Sequence, residues 1–299
     1  MSRRGVLGIS AALTLEAAWG GQARAAPAHA LFKAIGITAK IDRAAEMKRA
    51  GADFIVESVA DFLVPFADDA VFEPHAQRAR GAGLPILGCN SFLRDPRLIC
   101  VGPRADHPLI LKYADVAFRR LHGLGGRYVV FGSNTSRHIP EGFGRARAGE
   151  QFVELLESMA PLAKRSGVTI GIEMQKAQEC NYLNRIDEVS EVVRKVDHPS
   201  VRVLADLYHM RVMGDSPSDL ERSMRWVSLV ELAERDERTL PGVRGDDFRP
   251  YFEVLARHAF RGYCDIEGDG TAGQLHQAFA TVRTQAVDAA RMAAEHAPR

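Results

Sequence analysis

Residues 170–181 read IGIEMQKAQECN and place a carboxylate where a strand should end. Val168, Ile170 and Ile172 form an apolar, β-branched run of strand length, and Glu173 stands where that run turns polar. A second acid, Glu179, follows in what reads as a loop. The pattern recurs along the chain: Glu57 closes DFIVE, Asp206 closes VRVLAD, Glu231 lies near the end of WVSLVELA, and Glu267 closes GYCDIE. Taken singly, each acid also reads as a solvated residue at the start of a loop. If the last four runs are neighbouring parallel strands, Glu173, Asp206, Glu231 and Glu267 converge on one point. Carboxylates that close are costly unless a cation neutralises them, so a divalent metal is the economical partner. An oxygen-rich donor set suits a hard ion, Mn2+ or Mg2+, better than structural zinc.

Other residues add recognition chemistry. Asp206 and His209 form a D-x-x-H arrangement just past a strand, where a histidine can bind metal or hold a substrate hydroxyl or carbonyl. The loop 132–143, GSNTSRHIPEGF, is rich in donors, and its Arg137 suits a hydroxyl-rich or anionic substrate as well as an ordinary surface turn. Asn90 and Asn181 are candidates for hydroxyl recognition. No GxSxG elbow, Walker loop or HExxH is present, which removes support for serine nucleophiles and phosphoryl transfer.

These groups need elements to hold them. Strand-like runs at 32–38, 53–57, 85–90, 128–132, 168–173, 201–206, 226–233 and 262–267 alternate with helical patterns ending at 272–295. Eight βα units in strict alternation predict a single α/β domain, a (β/α)8 TIM barrel over residues 30–299, with the acids on its carboxyl face. An open doubly wound sheet is disfavoured because no glycine-rich phosphate loop follows the first strand.

The 299 residues carry 46% hydrophobic and 26% charged side chains and a net charge of +1, so no electrostatic case exists for nucleic acid or an anionic membrane as partner. Four cysteines without a CxxC pair make neither a zinc cluster nor a disulfide scaffold, though one disulfide in an oxidising compartment stays open. Arg3-Arg4, an apolar run to Trp19, and Ala23-Arg24-Ala25 make residues 1–26 read as a twin-arginine-type signal peptide. The apolar run is shorter than the roughly 20 residues a spanning helix needs. A periplasmic or secreted mature protein follows, without a membrane anchor once the signal is removed.

The segments 132–143, IEMQKAQECNYLN (172–184), LADLYHM (204–210), ELAERDERTLPG (231–242) and DIEGDG (265–270) together resemble the xylose-isomerase-like sugar phosphate isomerase and epimerase barrels. The resemblance implies one divalent ion, Mn2+ foremost with Mg2+, Co2+ or Zn2+ as alternatives, held by Glu173, Asp206, Glu231 and Glu267. Glu231 stands where that family carries a histidine. The resemblance also implies substrate contacts from Glu179, His209 and, across a one-residue offset, Arg238. It implies a small keto-sugar as partner and proton transfer by Glu173 and Glu267 through an enediolate-like intermediate. Elimination from the same intermediate and a sugar-binding barrel without turnover are the alternatives, and a homo-oligomer is left open. Residues 1–30 fused to a reporter should send it out of the cytoplasm and be cut near Ala25; a reporter retained uncut contradicts the signal.

Overall fold

A computed structural model describes residues 31–296, so the expected signal at 1–26 lies outside the described residues. Eight strands, β1 (Ala34–Thr38), β2 (Phe54–Ser58), β3 (Ile86–Asn90), β4 (Tyr128–Phe131), β5 (Thr169–Glu173), β6 (Val201–Asp206), β7 (Val227–Leu232) and β8 (Tyr263–Ile266), pair in parallel and in chain order. β8 returns to pair with β1 and closes the barrel, the expected TIM architecture. Helices α1 (Ala44–Ala50), α2 (Asp69–Gly81), α3 (His107–Gly123), α4 (Arg145–Arg165), α5 (Ile186–Val196), α6 (Leu207–Met213), α7 (Pro217–Ser223), α8 (Arg249–Arg257) and α9 (Ala272–Glu295) lie in the connections and after the last strand.

The helices follow from local chemistry. On α5, Ile186, Val189, Val193 and Val196 recur at helical spacing and are buried against the barrel. At α9, Thr271 and Gln274 form a reciprocal capping box. The alternation predicted one short helix between β6 and β7, and the structure has two. The cause is Asp206, whose Oδ1 accepts the backbone N–H groups of Tyr208 (2.7 Å) and His209 (3.1 Å), so the D-x-x-H segment is the capped first turn of α6. β8 ends one residue earlier than expected, leaving Glu267 just beyond it.

The apolar interior divides in two. One cluster fills the space between strands and helices. The other, Phe54, Val56, Tyr128, Val130, Leu204 and Leu229, plugs the barrel itself. Phe54 meets Tyr128 and Tyr263 edge-on, and the two tyrosines stack at 6.0 Å. Gly88 makes room for this plug, because a Cβ there would lie 2.3 Å from the Tyr128 ring. All four cysteines are buried free thiols. Among the described residues, no helix is long and apolar enough to cross a membrane.

Gly88→Ala forces a methyl into the Tyr128 ring and should cost ~1–3 kcal/mol. The urea midpoint checks this; an unchanged midpoint contradicts the tight plug.

Candidate active site

The side chains of a strand alternate between the two sides of the barrel, so a carboxylate at the right parity on each of four adjacent strands must face its neighbours. Register delivers this: Asp206 on β6 pairs across to Glu231 on β7, and Glu231 to Asp265 on β8. Glu173, Asp206 and Glu231 are at most 4% exposed, while the Glu267 side chain is 28% exposed at the mouth. Glu173, Asp206 and His209 offer donor atoms within 4.8 Å of one another, and so do Asp206, Glu231 and Glu267. Asp206 is common to both sets. Glu173 can lie here because the neighbouring strand β4 is followed directly by Gly132; a Cβ on that glycine would sit 2.1 Å from the Glu173 carboxylate.

The electrostatics are those of acids short of counter-charge. Burial, then the charges of Glu267 and Asp265, push Glu231 well above the usual carboxyl range. Burial, then Glu267, does the same to Asp265, which accepts the Tyr128 hydroxyl at 3.2 Å. Asp206 is pushed up to about 6, mainly by burial, with His209 opposing and Glu173 adding to the rise. Burial alone would lower His209, but Asp206 and Glu173 outweigh it and its pKa is raised.

His209 has a fixed orientation. Its Nδ1 accepts the Lys176 backbone N–H at 3.1 Å, which leaves the proton on Nε2. That nitrogen is buried, has no hydrogen-bond partner, and lies 3.4 Å from Glu173 and 3.6 Å from Asp206. It is a donor aimed into the cluster. Arg238 pairs with Glu267, lies 3.9 Å from Asp206, and stacks over the Tyr208 ring at 4.7 Å.

Glu179 stays at the rim, where the Lys176 ammonium holds it at 2.9 Å while also donating to the Tyr208 hydroxyl at 2.8 Å. Arg137 is not brought to the cluster: it is fully buried under the loop after β4 and donates to the Phe131 carbonyl. Asn90 is half-buried at the end of β3. Asn181 is committed to Ile139, exchanging bonds with both its backbone groups. Glu57 accepts the Ile41 and Ser58 backbone N–H groups and so anchors the turn after β1.

Three contributors escaped sequence reasoning. Lys176 and Asp265 occupy a loop and a strand interior with no motif of their own. Glu234 is fully buried and accepts from the backbones of Gly242, Gly245 and Asp246 and from the Thr239 hydroxyl, tying down the loop that carries Arg238. Its place three residues after Glu231 was the one available signal.

The donors fit a divalent ion. Four carboxylates gather with too little positive charge, and hard oxygen donors match hard cations. Asp206, Glu231 and Asp265 have raised folded pKa values, so their protonated forms stabilise the metal-free fold at low pH. For Asp206 that contribution is lost as pH rises through about 6. A metal needs the deprotonated ligands, so stabilisation by added Mn2+ should be greater at about pH 7.5 than at about pH 5.5. Thermal unfolding with and without Mn2+ checks this; a pH-independent increment contradicts it.

Comparison with known proteins places this geometry in context. Residues 41–293 match the family described as xylose isomerase-like TIM barrel. A Danio rerio protein, whose name assigns it provisionally as a hydroxypyruvate isomerase, is 23% identical over 163 residues, 51% of this chain and 55% of its own length. A Xenopus laevis protein of the same provisional name matches to a similar degree. The chain thus spans about half the length of the curated relatives it matches. An L-ribulose 3-epimerase superposes with a TM-score of 0.74 at 18% identity, over 89% of this chain and 98% of its own. The 3-keto-D-glucoside 4-epimerase YcjR of E. coli gives 0.68 at 19%, over 84% and 98%. A zinc-bound IOLI protein gives 0.65 at 16%, over 87% and 98%. At these identities the superpositions establish the fold.

Proposed function

The chain belongs to the xylose isomerase-like TIM-barrel family, and from that premise we propose that it is a metal-dependent isomerase or epimerase of a ketose or hydroxy-keto sugar. The observation that carries this reading is the convergence of Glu173, Asp206, Glu231 and Glu267 beneath a neutral-tautomer donor, His209 Nε2–H. Relatives whose names describe isomerisation or epimerisation of small keto compounds support the class. With residues 1–26 read as an export signal, the mature chain would meet unphosphorylated sugars.

Removing a proton beside a carbonyl requires a base at the carbon, a donor at the oxygen and a group to return the proton. Glu173, Asp206, Glu231 and Glu267 would hold a divalent ion, Mn2+ foremost, which when bound supplies polarisation of the substrate carbonyl. His209 Nε2 donates to a substrate oxygen, and the Lys176 N–H keeps its ring turned that way. Glu173 lies deep on β5 and Glu267 at the mouth after β8, positions from which they would reach a substrate from different sides. One removes the proton and the other returns it, which inverts or relocates the centre. Arg238 and Glu179 at the rim hold hydroxyls.

Glu173→Gln and Glu267→Gln should each lower turnover of a responsive keto-sugar by ~10²–10⁴-fold, the usual contribution of a positioned acid or base. Deuterium uptake from D2O at the carbon beside the carbonyl is the decisive measurement. Full exchange and turnover in both variants would sink the proposal, and a wild-type chain that binds sugar without exchange would mark a binding protein.

A further inference from the structure

Among the described residues, Arg238 is a permanent cation drawn into the carboxylate cluster itself. Its guanidinium pairs with Glu267 and lies 3.9 Å from Asp206, two of the three carboxylates in one of the two metal-competent sets. A guanidinium fork and a divalent ion compete for the same oxygen lone pairs and repel one another as like charges. Both cannot use Glu267 fully at once.

The backbone delivers Arg238 to this position under constraint. Glu237 and Arg238 are successive non-glycine residues in the left-handed region, at φ 62° and 53°. The corner is closed on itself: the Glu234 N–H donates to the Thr239 carbonyl at 2.8 Å, and the Thr239 hydroxyl donates to Glu234 Oε2 at 2.8 Å. With the corner clamped, motion is left to the long side chain. That side chain has a second use at hand, because Arg238 Nε is buried without a partner while the guanidinium rests on the Tyr208 ring.

We propose that Arg238 is the resident counter-cation of this site: it neutralises the Asp206–Glu267 edge in the metal-free protein, and a divalent ion must displace it, releasing the guanidinium to a substrate oxygen. Metal loading then arms the substrate contact instead of merely adding to it. The inference rests on the metal site in the proposed function but not on turnover. It explains why so anionic a cluster can fold before metal arrives.

The test uses the full chain stripped of metal with a chelator, with Arg238→Met to keep length and remove charge. Two quantities are read, the thermal midpoint without metal and Mn2+ affinity by titration calorimetry. Arg238→Met should lower the metal-free midpoint by a few degrees and bind Mn2+ about tenfold more tightly or better. Arg238→Lys, whose ammonium lacks the fork, should also bind Mn2+ more tightly than wild type, by a smaller factor. It carries the test if the Met variant does not fold. Unchanged or weaker Mn2+ binding in a folded variant overturns this inference and leaves the proposed chemistry standing. A wild-type chain that binds no Mn2+ overturns both.

Discussion

Four carboxylates aimed at one point above an apolar plug are the constraint that the rest of this protein answers. Like charges in a water-poor site are tolerated only with protons, donors or cations close by. Each neighbouring element contributes one of these. Tyr128, rising from the plug, donates to Asp265; α6 begins on Asp206 and turns its backbone donors toward it; Arg238 comes in from the β7 loop. Protonation fills part of what remains, which is why Glu231, Asp265 and Asp206 hold their protons to higher pH than solvated acids do.

The same arrangement trades stability for chemistry. Apolar residues in place of these acids would pack the barrel mouth at no electrostatic cost. What the acids provide is a preorganised negative pocket whose groups sit on strands or, for Glu267, directly after one, so little reorganisation is needed when a cation and a polarised carbonyl arrive. A second ring keeps the first in place. Lys176 orients His209 through its backbone and binds Glu179 and Tyr208 through its side chain, linking rim to centre. Glu234 does comparable work for Arg238, spending a fully buried carboxylate on backbone donors and the Thr239 hydroxyl. Glu231 deepens the negative charge of the cluster, and Arg238 is the cation placed to offset it.

Much of this was legible in the residue order. The short apolar runs and the helical patterns between them specified eight βα units, and strict alternation left a parallel barrel as the economical closure. The acids at strand ends could be read because a strand exit on such a barrel has only one destination. Where reading stopped, the reason is physical. Arg137 sits in a donor-rich loop, yet its side chain turns inward to the Phe131 carbonyl, a choice made by packing that loop composition does not reveal. Asp206 followed by His209 reads as a loop with two ligands; folded, it is a helix cap with a donor one turn along.

The sequence by itself determined the barrel, the four converging acids and the oxygen-rich character of the site, because strand parity and element order are properties of the chain. Only the tertiary structure decided which groups accompany those acids. Asp265 lies beside Glu231 through the register of β7 on β8. Lys176 meets Tyr208, 32 residues along the chain, and Arg238 meets Glu267, 29 residues along, through the closeness of adjacent strand exits. Those contacts depend on loop paths and side-chain rotamers that no periodicity encodes, and they set the charge balance on which metal, proton and substrate depend.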